Sequence, residues 1–124
     1  MALSKSFRRV GVLVVALISF MVTDASAQSD YNIRRAQGYQ REAEYYQKRA
    51  ADYRREAQYH LKRAEEYQRE VAYYTRRGDT DRAETYQRYV EQEMDKYEQQ
   101  MRYAAEADEK AARYLRYAAD ALDD

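Results

Sequence analysis

Polar and apolar residues follow two different rhythms along this chain. From Val10 to Val22 the sequence carries no charge and is almost wholly apolar. Beyond Gln28 no such run recurs. Instead Ala36, Ala43, Ala50, Ala57, Ala64 and Val71 stand seven residues apart, and three residues after each comes Tyr39, Tyr46, Tyr53, His60, Tyr67 or Tyr74. This is the a/d pattern of a coiled coil, in which steps of three and four keep one seam on one side of a helix. Alanine at a lets two backbones approach closely, and tyrosine at d supplies the buried area that alanine lacks.

The pattern breaks at Arg76-Arg77-Gly78-Asp79-Thr80-Asp81. Arginines in a last turn, a glycine able to adopt the left-handed conformation, and then Asp or Thr as an N-cap predict a helix stop followed by a helix start. The phrase Gly78-Asp79-x-x-x-Ala83 is similar to the inter-helix turn of tetratricopeptide repeats over this turn alone, without the period of about 34 residues that defines them. A second seven-residue series follows: Ala83, Val90, Tyr97, Ala104, Ala111 and Ala118, with Gln87, Met94, Met101, Asp108, Leu115 and Leu122 four residues after each. The expected fold is all-α: an antiparallel two-helix coiled-coil hairpin with long helices at about 31–77 and 81–122, each arm roughly 60 to 70 Å at 1.5 Å per residue. Pairing a layers with d layers sets Tyr74 against Gln87, Tyr67 against Met94, His60 against Met101 and Tyr39 against Leu122, and in the other layer Val71 against Val90 and Ala43 against Ala118.

A seven-residue period would suffice for that seam, yet residues 39–80 repeat every 14, as YQREAEYYQKRAAD, YRREAQYHLKRAEE and YQREVAYYTRRGDT. The longer period comes from the flank. Position g alternates Glu42, Arg49, Glu56, Arg63, Glu70, Arg77, while Tyr31, Tyr45, Tyr59 and Tyr73 recur at position c. On the second helix Tyr89, Tyr103 and Tyr117 recur likewise, each preceded by an arginine. Positions c and g lie about 110° around the helix from the seam, so these rings are expected to stand outside the a/d interface. Arg35, Arg49, Arg63 and Arg77 each follow a c tyrosine by four residues, a spacing that permits guanidinium–ring stacking. The seven tyrosines with Arg49, Arg63 and Arg77 are the candidate interaction face. Its alternative reading is an exposed surface covered by amphipathic rings and solvated by arginine.

The first 27 residues change the picture of where the chain works. Lys5, Arg8 and Arg9 precede the apolar run and Ala25-Ser26-Ala27 follows it, the three parts of a secretory signal. The run is shorter than the roughly 20 residues a membrane span needs, so a cleaved, Sec-type bacterial signal is expected rather than an anchor. That leaves residues 28–124 as one helical domain, secreted or periplasmic. Without Lys5, Arg8, Arg9 and Asp24 the chain keeps 19 basic and 21 acidic residues, a net charge of about −2. Such balance gives no electrostatic reason to seek nucleic acid or an anionic membrane. With no cysteine at all, neither a disulfide framework nor a thiolate metal site is available.

Little in this composition points to catalysis. His60, the sole histidine, stands where tyrosine stands in the other five heptads and reads as a core substitution. Asp108 is the polar exception of the second core and a candidate for setting register. No cofactor is expected. The function these features favour is an exported, non-enzymatic structural or interaction protein of the cell envelope or extracellular space, assembling into homo-oligomers or with another helical envelope protein. A periplasmic holdase-type chaperone is the alternative, with a metal- or haem-handling protein behind it.

Overall fold

The computed structural model describes residues 27–123, so the expected signal segment, apart from Ala27, lies outside the described residues. Two helices account for nearly all of them: α1, Ala27–Arg76, and α2, Thr80–Asp123. They pack against each other as an all-α helical hairpin. The composition explains their length, since Ala, Arg, Glu and Gln are strong helix formers and proline is absent.

The connection is built as its sequence demands. Gly78 adopts a φ of 75°, which costs a residue with a Cβ about 1–2 kcal/mol. Its N–H donates to the Thr75 carbonyl at 3.1 Å, and the Asp79 N–H donates to the Tyr74 carbonyl at 3.0 Å, which is the Schellman pattern. Asp79 then caps α2 by accepting from the Arg82 N–H at 3.2 Å. One residue ends α1 and the next begins α2.

The chain forms two compact units. One consists of the described residues up to Lys48 with those from Asp108 on, the other of Arg49–Ala107. In the first, Ala36, Ala118 and Ala121 form a buried cluster with Tyr39 and Leu122 packed on it. Tyr39 meets Tyr114 and Tyr117, and Tyr46 stacks on Tyr114 at 5.7 Å. In the second, Tyr67 meets Tyr86 and Tyr89, and Tyr74 stacks on Tyr86 at 5.6 Å. The same constellation therefore occurs once in each unit, offset by 28 residues in sequence, or two repeats. Each stacked pair has its rings within 9° of parallel, and each is edged by the exposed neighbour Tyr45 or Tyr73.

Two expectations need correction. The seam of α2 combines the predicted series, buried at Ala83, Val90, Ala104, Ala111 and Ala118, with residues three rather than four places on: Tyr86, Glu93, Gln100, Ala107, Tyr114 and Ala121 are buried or half-buried. Gln87 is exposed, whereas Met94, Met101, Asp108 and Leu122 are half-buried on the flank and only Leu115 of that set is buried. Register moves accordingly. Tyr67 meets Tyr86 and Tyr89 instead of Met94, His60 meets Glu93 instead of Met101, and Ala118 clusters with Ala36, one heptad from Ala43. The physical reason lies in the packing: Tyr86 and Tyr114 stack on Tyr74 and Tyr46 of α1, and Glu93 finds His60 and Arg63 there.

Candidate functional site

All seven candidate tyrosines are exposed, between 38% and 56%, while the other eight tyrosines of the chain are half-buried. They do not form one uniform stripe. Over three of the four α1 rings lies an arginine one turn on: Arg35 is 5.8 Å from the Tyr31 centroid, Arg63 5.8 Å from Tyr59, and Arg77 4.7 Å from Tyr73. Distances below about 6 Å allow an attractive cation–ring contact. Arg49 donates to the Tyr53 hydroxyl at 2.7 Å and so also braces the core series.

Tyr89, Tyr103 and Tyr117 are placed differently, and the expectation that they stand outside the core interface is corrected. Tyr89 lies against Tyr67, Tyr103 against Tyr53 and Tyr117 against Tyr39, with centroids 5.3 to 5.6 Å apart. With Ala83 at a rather than d, these three occupy g, nearer the seam than the c position expected for them. They seal its edge with one ring face and leave the other to solvent.

Arg63 shows how the two sets connect. It donates to the Tyr59 hydroxyl at 3.3 Å and the Tyr67 hydroxyl at 2.6 Å, and those hydrogen bonds raise its pKa. Its Nε approaches the Glu93 carboxylate at 3.5 Å. Glu93 is buried, three residues after Val90, where a coiled coil of this kind normally has an apolar side chain. His60 Nδ1 lies 2.6 Å from Glu93 Oε2, and Lys96 Nζ lies 3.8 Å from Oε1. Glu56 approaches the other His60 nitrogen at 3.8 Å. Burial pushes the Glu93 carboxyl up, but its hydrogen bond to His60 and the charges of Lys96, His60 and Arg63 outweigh that and hold it below its ordinary value. The phenol of Tyr86 is pushed up, first by burial and then by Tyr74 and Glu70.

Glu93 escaped the sequence reading because a charged residue breaks the apolar series that defines a seam. The signal that could have found it was Tyr86, three residues after Ala83, which copies the alanine–tyrosine step of α1 and places Glu93 in the same column. His60 and Glu93 are then mutual exceptions: each replaces an apolar or aromatic residue, and each supplies the other's partner.

Among the described residues no group of three or more His, Cys, Asp or Glu is arranged to hold a metal ion, and no helix is long and apolar enough to cross a membrane. What the exposed surface carries is aromatic rings beside guanidinium groups, with carboxylates between them. Comparison with protein-family models, with curated proteins and with solved structures finds no match to this chain.

Proposed function

We propose that this chain is an exported, non-enzymatic interaction protein of the cell envelope or extracellular space that works by packing a face of α1 onto a partner. One observation carries the reading: Tyr31, Tyr45, Tyr59 and Tyr73 remain exposed although the hairpin core is complete without them. Large aromatic side chains with a polar tip, held in place by arginine, have the composition of protein interface hot spots. Their cost of ordering is low, because the i,i+4 arginines already restrict them. Export rests on the positive, apolar and small-residue segments of residues 1–27.

The test is capture of partners from the native organism with the intact chain and with a Tyr45→Ala, Tyr59→Ala, Tyr73→Ala variant. The variant should keep its helical circular dichroism and lose its partners. Undiminished capture would overturn the reading. Suppression of aggregation of a denatured test protein at modest stoichiometry would instead identify the holdase alternative.

A further inference from the structure

Within the unit Arg49–Ala107, the outer face of α1 carries a charge alternation that tyrosine alone conceals. Its c and g positions form four i,i+4 bands: Asp52 with Glu56, Tyr59 with Arg63, Glu66 with Glu70, and Tyr73 with Arg77, which lies one residue past the end of α1 with its N–H still donating to the Tyr73 carbonyl. The bands are acidic, basic, acidic, basic, and every member is exposed except the half-buried Arg63. Such an order is self-complementary. A second copy laid antiparallel, with its two-fold axis between Ala64 and Glu65, brings every band against one of opposite charge.

We propose that this face seats a second copy of the chain in that register, a proposal that rests on the helix-face reading above and names its partner. Arg77 of one copy then faces Asp52 of the other, and Arg63 faces Glu66. The Tyr59 hydroxyl comes opposite Glu70, and that of Tyr73 opposite Glu56, each a carboxylate able to accept its proton in a hydrogen bond. The arrangement is isologous, each contact occurring twice, and it closes at two copies. Parallel copies staggered by seven residues would also match basic to acidic bands, but that stagger repeats without limit and makes fibres. The row Arg55, Lys62 and Arg69 lies at the rim, where water screens like charges. Its positive charge, with Arg55 bonded to Asp52 within the chain, offsets the excess of carboxylates along the seat.

The full chain, processed as its host processes it, is tested by sedimentation equilibrium with Asp52→Arg, Arg77→Glu and the two combined, and circular dichroism checks that each is folded. Wild type should have twice the mass of one chain. Each single reversal puts like charges together at two symmetric contacts and should raise the dimerisation midpoint about tenfold or more. The combined variant should return to the wild-type midpoint, because the charges are exchanged but still complementary. A dimer indifferent to these reversals overturns the seat, and so does growth beyond two copies. A wild-type monomer overturns it as well. If that monomer still captures partners through its tyrosines, the helix-face function survives with a different protein as partner. If it captures nothing, both readings fall.

Discussion

The Glu93 carboxylate is the residue on which the hairpin's response to pH turns. A buried charge is tolerated only when paired, and here His60 and Arg63 from α1 and Lys96 from α2 surround it. Because its folded pKa lies below the unfolded value of about 4.3, its contribution is full above that pH and is lost as pH falls through the lower folded value. Urea unfolding should therefore show wild type more stable than Glu93→Gln by about 1–2 kcal/mol at pH 6, with the gap closing below about pH 4. An unchanged gap at low pH would mean that the carboxylate is not held in its charged form by these partners. His60→Ala leaves the carboxylate with fewer donors and should cost about 2–4 kcal/mol. Exchanging both, His60→Tyr with Glu93→Ala, gives α1 the tyrosine of its other heptads and α2 the alanine it has at Ala107 and Ala121, and should recover most of that loss, because a buried polar pair contributes little beyond what apolar packing provides.

For the helices, the alanine column and the turn set the geometry. Ala36, Ala43, Ala50 and Ala57 are wholly inaccessible to solvent and Ala64 is nearly so, so α2 approaches the backbone of α1 along this line. Ala64→Leu has no room for its added carbons and should cost about 1–3 kcal/mol by forcing the helices apart, read as a lower urea midpoint for a chain that remains helical. At the turn, Gly78→Ala is strained by its φ of 75° although nothing lies within 4 Å of the added Cβ. The expected loss is about 1 kcal/mol. Asp79→Ala removes the cap on Arg82 and should cost a similar amount. The two losses should add incompletely in a double variant, since both residues close the same turn.

Across the whole molecule, the 14-residue repeat does two separate jobs. Its seven-residue half builds the seam, twice yielding a stacked tyrosine pair in the two units, Tyr46 with Tyr114 and Tyr74 with Tyr86. Its full length builds the outer face, where c tyrosines alternate with Asp52 and Glu66 and g arginines alternate with glutamates. The export expected from residues 1–27 is open to a direct measurement. Protein recovered from outside the cytoplasm should have an intact mass that begins at Gln28, and Ala25→Arg should block that processing. Recovery of the unprocessed chain there would argue for a retained anchor.

Sequence alone determined the two helices, the stop and start around Gly78, the α1 seam and the identity of the tyrosines left outside it. Each is a matter of local chemistry: helix propensity, a left-handed glycine, a cap, a period of seven. Tertiary structure decided which column of α2 meets that seam. Residues three and four places after each alanine both border the same stripe of a helix, and polarity favoured Met94 and Met101 over Glu93 and Gln100. The choice fell the other way because Tyr86 and Tyr114 stack on the d tyrosines Tyr74 and Tyr46, and because His60 and Arg63 lie within reach of the Glu93 carboxylate. For the same reason Tyr89, Tyr103 and Tyr117 became part of the core edge. Their neighbours in sequence are arginines, but their neighbours in space are the d tyrosines of α1, and only the packing of one helix on the other could supply those.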